Sequence, residues 1–443
     1  MQSTKDGKLG GWQSTFSRRD LLKGAAALTA AASVPEAAFG QQATGAPFGT
    51  VWLYIGTYTG APGAFGSNGM GIYLCELDLS TGALTVLRLV GPVVAATNSP
   101  STLALDPTRT HLYAGNEFGP PGAVTAYSIN RPTGNLTLLN SQATLGAPAY
   151  VGVDKTGKYL FSAEYTGGWF EAFPINADGS LGPAVFQQFD ADHVGPMDAT
   201  NAPPGSFAIS AHEGPNGHPH QMDVDPSNKW VLGPDAGQDR IYVWKLTPGA
   251  TPPLTPSPAN PFVSVPPGDG PRHFAFHPNG IWMYSIQEEA STIMFWHFDP
   301  TTGALAAQQI ISSLPPGFAG TDFTSEIRVS ADGHFVYGAN RTSDTVGVFS
   351  IGHDGRLTQV SHASTLGDYP RIFTIDPTGQ FIAVGNQRAD NVTTFSINRG
   401  EGDQGEDQGD QGEDQGNRRG PGSLTFTGNY TPVGSPSGMV FLI

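Results

Sequence analysis

One pattern of fifteen residues recurs six times along this chain, and that repetition limits the fold more than any other feature. The copies are LALDPTRTHLYAGNE (103–117), VGVDKTGKYLFSAEY (151–165), MDVDPSNKWVLGPDA (222–236), FAFHPNGIWMYSIQE (274–288), IRVSADGHFVYGANR (327–341) and FTIDPTGQFIAVGNQ (373–387). Each reads as an alternating strand, a tight turn and a second apolar strand. Proline presets φ in such turns, and Gly or Asn tolerates the left-handed region. Start-to-start spacings of 48, 71, 52, 53 and 46 residues match the period of propeller blades. A third strand follows most copies, as in Val124-Thr125-Ala126-Tyr127 or Val346-Gly347-Val348-Phe349. A Gly-x-Leu turn such as Gly134-Asn135-Leu136 or Gly303-Ala304-Leu305 then leads into a fourth. Four antiparallel strands make a blade.

Six units need a seventh blade to close a ring. Residues 53–90 contain three strand-like runs but lack the unit, and Met439-Val440-Phe441-Leu442-Ile443 is a terminal apolar strand that can complete their sheet. Closure removes two exposed edges. The expected fold is therefore all-β: a seven-bladed β-propeller over 53–443, four antiparallel strands per blade, preceded by a linker at 41–52. Two insertions interrupt it. One lies around Asp190 to Glu213. The other, residues 400–420, carries seven acids and two arginines in a Gly/Gln-rich background and reads as a disordered, solvated loop.

The first 40 residues read as an export signal. Ser17-Arg18-Arg19-Asp20-Leu21-Leu22-Lys23 has the twin-arginine form, and the uncharged run of 11 residues behind it is too short to span a bilayer. Small residues up to Gly40 suit cleavage, which places the mature chain in the periplasm or outside the cell. Removing five basic and three acidic residues takes the formal charge from -16 to about -18. Nucleic acid and anionic membranes both need a basic surface, so neither is an expected partner. The single cysteine, Cys75, permits no intrachain disulfide and no cysteine metal site. Its apolar neighbours mark it as a buried thiol.

The repeats also serve as a register. In an antiparallel hairpin the start of the first strand and the end of the second lie together, and in a propeller the innermost strands line the channel. The two residues before each unit read Ser101-Thr102, Ala149-Tyr150, His220-Gln221, Arg272-His273, Ser325-Glu326 and Arg371-Ile372, five of them after a proline. The last two of each unit read Asn116-Glu117, Glu164-Tyr165, Asp235-Ala236, Gln287-Glu288, Asn340-Arg341 and Asn386-Gln387. Charged residues crowd one channel mouth, above all His220, Arg272, His273, Glu288, Glu326 and Arg341. A histidine near neutrality can act as a general base. Two arginines can clamp a carboxylate or a developing oxyanion. His218, His273, Glu326 and Arg371 are the expected substrate contacts around them. Solvated strand ends are the plainer use of the same residues. A metal site built on His218 and His220, with His212 and His193 upstream, is the rival chemistry. Successive strand residues point to opposite faces, so no metal is expected. No cofactor is expected either, because no Walker or Rossmann glycine pattern is present.

These pieces resemble the seven-bladed propeller lactonase family, which includes a bacterial type of 6-phosphogluconolactonase and the fungal carboxy-cis,cis-muconate cyclase. The matching residues are Tyr54-Ile55-Gly56-Thr57-Tyr58-Thr59, His218-Pro219-His220, Gly270-Pro271-Arg272-His273, Ser325-Glu326-Ile327, Asn340-Arg341 and Tyr369-Pro370-Arg371. The resemblance implies a catalytic set of His220, Arg272, Glu288 and Arg341, with Glu289 as a one-residue alternative to Glu288. It implies an exported hydrolase or cyclase acting on a small-molecule lactone of a sugar acid or carboxylated compound. A departure from the family's pattern is Glu164-Tyr165, where the family has Asn-Tyr. The alternative is a non-catalytic propeller that binds a small ligand or a protein in the periplasm. No oligomeric state follows from the sequence.

Overall fold

The fifteen-residue unit folds as the two inner strands of a blade, because its turn residue caps its own turn. In the computed structural model, which describes residues 49–59, 67–90, 99–117, 122–190, 202–204, 206–207, 217–400 and 420–443, the Asp154 carboxylate accepts the backbone N–H of Lys158 at 2.6 Å and of Tyr159 at 2.8 Å. Asp225 takes Lys229 and Trp230 in the same way, both at 2.8 Å. Asp376 takes Gln380 and Phe381. In the unit that has Ser330 instead, its hydroxyl accepts the N–H of Phe335 at 2.9 Å. Each buried turn thus satisfies donors that the hairpin would otherwise leave unpaired.

Among the described residues there are seven blades. Blade two runs Pro100–Leu105, His111–Asn116, Ala123–Asn130 and Asn135–Ala143, in that order from the channel outward. Blade three is Ala147–Val153, Tyr159–Thr166, Trp169–Pro174 and Phe186–Phe189. Blade five is Pro271–Phe276, Trp282–Gln287, Thr292–Phe298 and Leu305–Ser312. Blade six is Thr324–Val329, Phe335–Asn340, Thr345–Ile351 and Leu357–Ser364. Blade seven is Pro370–Ile375, Phe381–Asn386, Asn391–Ile397 and Leu424–Pro432.

Blade four departs from this pattern. Its innermost strand shrinks to Asp223–Val224, beside Trp230–Asp235 and Arg240–Leu246. Pro234 in the second strand has no N–H to give to the ladder. Only an isolated bridge between Pro219 and Asp235 holds the channel end together. Its outer edge is split into Leu254–Pro256 and Phe262–Ser264, both paired to Arg240–Leu246.

Blade one is composite. Thr50–Thr57, Tyr73–Asp78 and Leu84–Leu89 receive Pro436–Leu442 as their innermost strand. Leu53 lies opposite Phe441, and Ile55 opposite Met439. The first strand begins at Thr50, ahead of the expected Leu53. Its residues alternate between two cores: Val51, Leu53 and Ile55 pack toward blade seven, and Trp52 and Tyr54 toward blade two. Seven hydrophobic clusters fill the seven interfaces between neighbouring blades. Cys75 belongs to the first of them, fully buried, and burial pushes its thiol up to about 12. The expected acidic loop, apart from its two end glycines, lies outside the described residues, as do the signal segment and most of the insertion after Asp190.

A feature that the repeat does not announce sits at the channel end. Pro100 pairs with Asn116, yet the next pair is Thr102 with Gly115, so Ser101 is an extra, bulged residue. The same slip occurs between Pro271 and His273, between Pro370 and Ile372, and between Pro148 and Tyr150. A β-bulge re-aims a side chain, and here it turns Ser101, Arg272 and Arg371 into the channel.

Two outcomes test this account. Removing residues 436–443 exposes the edge of Thr50–Thr57, and should lower Tm sharply and promote aggregation in a light-scattering melt. Asp154→Ala removes a carboxylate from the N–H of Lys158 and the buried N–H of Tyr159 and should cost about 2 kcal/mol in denaturant unfolding. A loss near zero would show that the turn does not depend on its aspartate.

Candidate active site

The channel mouth draws its side chains from two positions of each blade. One is the residue after the bulge proline: Ser101, His220, Arg272 and Arg371. The other is the last residue of the unit: Glu117, Tyr165, Glu288 and Arg341. Because both ends of each inner hairpin meet there, residues distant in sequence become neighbours.

At the centre is the Glu288 carboxylate. It faces the Arg272 Nε at 3.3 Å and the His220 Nε2 at 3.9 Å, and hydrogen bonds to the Arg341 guanidinium. All four side chains are at most 5% exposed. Arg272 is further tied to the carbonyl of Ser325, and Arg341 donates to the Tyr369 hydroxyl at 3.3 Å. Burial pulls Arg272 down to about 10, with Glu288 opposing it, so it stays charged at neutral pH. Burial also works against charge on Arg341, but Glu288, Tyr369 and Asp322 together outweigh it and raise its pKa. For His220, burial and then Arg272 and His273 push the imidazole well below its usual range, so the ring is neutral. Its Nδ1 makes no hydrogen bond among the described residues. The ion pairs to Arg272 and Arg341 are made by Glu288.

A second group continues down the channel. The His273 Nδ1 lies 3.3 Å from Glu326, whose other oxygen faces the Arg328 Nε at 3.3 Å. Burial disfavours charge on Glu326, yet Arg328 and His273 outweigh it and bring the carboxyl to about 2. Burial and Arg272 lower His273 to about 4. The His220 and His273 rings meet edge to face, 5.0 Å apart. A cavity of about 240 Å³ is bounded here by Arg272, His273, Glu326, Arg328, Asp223 and Arg371.

A third group lies across the mouth. Arg371 is 3.7 Å from Glu117, which also accepts from the Tyr58 and Ser101 hydroxyls at 2.7 and 2.6 Å. His218 stands at the edge: its ring packs on Tyr165 at 4.5 Å, and its Nδ1 meets the Tyr165 carbonyl at 3.1 Å. Of the eight residues expected from the sequence, His220, Arg272 and Arg341 converge on the carboxylate of a fourth, Glu288, and the other four are spread around them. Arg328, Tyr58 and Tyr369 escaped sequence reasoning. Glu117 and Tyr165 were legible, since they stand in the same column as Glu288 and Arg341.

Among the described residues, no group of three or more His, Cys, Asp or Glu could hold a metal ion. His193 and His212, the upstream pair of the metal alternative, lie outside the described residues.

The chain matches the family described as "Lactonase, 7-bladed beta-propeller" over residues 52–415, and the twin-arginine signal over residues 15–35. It is exported by that route. It is 33% identical over 353 residues to the 6-phosphogluconolactonase of Bacillus subtilis, covering 79% of this chain and 92% of the relative. Against the enzyme of the same name from Pectobacterium carotovorum the identity is 32%, covering 73% of this chain and 86% of the relative. The solved structure of a periplasmic gluconolactonase from Pseudomonas aeruginosa superposes with a TM-score of 0.72 at 27% identity, covering 89% of this chain and 99% of that one. With the blade count, the closing strand and these matches in agreement, the chain belongs to the seven-bladed β-propeller lactonase family.

Proposed function

We propose that this chain is an exported lactonase whose substrate is an unphosphorylated lactone of a sugar acid, and that His220, Arg272, Glu288 and Arg341 carry the reaction. The observation that supports it most is the sharing of one carboxylate by two buried arginines beside a neutral histidine.

Lactone hydrolysis requires a base for water, donors for the oxyanion, and an acid for the departing ring oxygen. Neutral His220 takes a proton from water as the water oxygen bonds to the carbonyl carbon. The carbonyl π electrons move onto oxygen, which the guanidinium N–H groups of Arg272 and Arg341 receive. The tetrahedral species collapses, the ring C–O bond breaks, and His220 returns its proton to the alkoxide. The product is a hydroxy acid. Glu288 holds the arginines in register, and at 3.9 Å its negative charge steadies the imidazolium while it exists.

Charge counting supports the substrate class. Arg272, Arg341 and Glu288 sum to a single positive charge, which one developing oxyanion neutralises. Arg371 is already faced by Glu117. The twin-arginine route agrees, since a 6-phosphorylated lactone arises in the cytoplasm. The Pseudomonas aeruginosa neighbour is, by name, a periplasmic gluconolactonase. His218, His273, Glu326 and Arg371 surround the central group and contact the polyol.

His220→Ala and Arg272→Ala should each lower kcat on glucono-δ-lactone by roughly 100-fold or more while leaving Tm near the parent value. Unchanged turnover in both would return the chain to a non-catalytic binding role. The base must be neutral, and its pKa is lowered. The acid limb of kcat/KM should therefore fall below the ordinary histidine value of about 6.5, and a limb at or above it would exclude His220 as the base. Glucono-δ-lactone should be turned over with higher kcat/KM than its 6-phosphorylated form. The reverse order would overturn the substrate assignment and leave the lactonase reading intact.

A further inference from the structure

The last-but-one residue of the repeated unit is an amide in four blades and an acid in two. Asn116, Gln287, Asn340 and Asn386 occupy it in blades two, five, six and seven, and Glu164 and Asp235 occupy it in blades three and four. All six are shut off from solvent, at 0–2% exposed. Asn116 accepts from the Thr125 hydroxyl at 2.7 Å, Asn386 donates to Asn391 at 2.9 Å and to the Thr393 hydroxyl at 3.1 Å, and Asn340 uses both of its functions. Asn340 donates through Nδ2 to the Ser313 carbonyl at 2.9 Å and to the Thr345 hydroxyl at 3.0 Å, and accepts from the Ser313 hydroxyl at 2.6 Å. A carboxylate can only accept, whereas a carboxylic acid can also donate.

Each of the two acids also faces a second carboxyl. Glu164 meets Glu171, and Asp235 meets Asp190. The outward oxygens are satisfied. Glu164 accepts the Gly146 N–H at 2.5 Å, and Glu171 accepts the Leu145 N–H at 3.0 Å and the Gln187 amide at 2.6 Å. Asp235 accepts the N–H groups of His218 at 2.7 Å and Gln238 at 3.0 Å through one oxygen, and Asp190 accepts from Gln188 at 3.2 Å. Among the described residues, Glu164 Oε1, Asp190 Oδ2 and Asp235 Oδ2 are buried without a well-formed hydrogen bond, with the Ser162 hydroxyl near Glu164 and the Tyr242 hydroxyl near Asp190. Gly217 closes over the aspartates: a Cβ there would lie 2.4 Å from Asp235 Oδ2 and 2.8 Å from the Asp190 Cβ. Among the described residues, the titratable groups facing the aspartate pair are Arg240 and Tyr242, beside the backbone of His218. The one facing Glu164 is Glu171. Two buried carboxylates at such close quarters cannot both be charged, and one shared proton meets the need of both.

We propose that Glu164 and Asp235 are positioning residues that act as carboxylic acids, each pair sharing one proton, and that these protons hold His220 and Tyr165 over the catalytic cluster. The His220 N–H donates to the Pro234 carbonyl at 3.0 Å, and the Ala236 N–H to the His218 carbonyl at 3.0 Å. The stretch that carries His220 therefore hangs on the end of the strand that Asp235 anchors. Glu164 directly precedes Tyr165, whose ring lies 4.5 Å from that of His218 and 5.5 Å from that of His220. When the shared protons leave, the paired carboxylates repel and the support beneath His220 shifts.

The direction with pH follows. Burial raises Glu164 and Asp235 well above the carboxylate range, and the partner carboxyl adds to it. A raised folded-state pKa contributes stability that is complete below the unfolded value of about 4 and is lost as pH rises through the raised folded value, above the ordinary carboxylate range.

The test replaces the protons with permanent N–H donors in the double variant Asp235→Asn, Glu164→Gln. As pH rises above the ordinary carboxylate range, the Tm of the parent should fall more steeply than that of the double variant. The alkaline decline of kcat on glucono-δ-lactone, corrected for uncatalysed hydrolysis, should flatten in the variant. The infrared band of protonated carboxyl groups in the parent at pH 7 should weaken. Asp190→Asn with Glu171→Gln supplies the donor from the other side and should reproduce all three results. Asp235→Leu, which removes the acceptor for His218, should lose kcat roughly tenfold or more at every pH, with a smaller change in KM. Identical Tm profiles for parent and double variant, or no protonated-carboxyl band in the parent, would overturn the proposal. The kinetic readout rests on the lactonase reading, whereas the Tm and infrared readouts do not. A flattened Tm profile in a protein without turnover would therefore count against the lactonase reading alone.

Discussion

The pairing of Pro436–Leu442 with Thr50–Thr57 is the contact on which the rest of this molecule depends. A propeller blade is a small twisted sheet with two hydrophobic faces, and each face is covered only by the next blade. Six units in a row leave an apolar face at either end. The composite seventh blade covers both, since alternate residues of Thr50–Thr57 enter the cores shared with blades seven and two. Once the ring is closed, the inner strands surround one channel, and the same position of every blade arrives at the same mouth. The buried cluster of charges around Glu288 is a consequence of that convergence.

The mouth shows how a repeated scaffold takes on separate tasks. The start and the end of each inner hairpin meet at the mouth, and the sequence varies the residues there. The first position holds serine, alanine, histidine or arginine, and the second glutamate, tyrosine, alanine, arginine or glutamine. Opposite charges then find each other across blade boundaries: Glu288 of blade five with Arg341 of blade six, and Glu117 of blade two with Arg371 of blade seven. Burying several charges in one place is costly unless each is paired. The alternation of acids and arginines around the ring satisfies that condition and still leaves one positive charge beside His220. Behind this layer, the acids of blades three and four stand where the other blades carry amides. That side of the ring supports the histidine rather than the arginines.

Much of this was legible before any coordinates. The blade count, the strand order, the composite first blade and the crowding of charge at one mouth follow from a repeat with fixed turn residues, because hairpin geometry is local and periodic. The choice between Glu288 and Glu289 was not legible. Adjacent residues at a strand end can turn either way, and only the packed ring shows Glu288 meeting the arginines. The bulges were equally silent, since an inserted residue leaves the spacing of the unit unchanged when every blade carries it. The thin inner strand of blade four could have been read from Pro234, whose missing N–H interrupts the ladder.

The sequence by itself determined the architecture and the residue types at the mouth, since alternation, turn chemistry and period are properties of neighbouring residues. Which charges pair, which histidine is neutral and which acids share protons were decided by the tertiary structure alone. Those properties depend on distances across blade boundaries and on exclusion of water. Both arise only when residues some 50 positions apart, such as Glu288 and Arg341, are brought into one buried site.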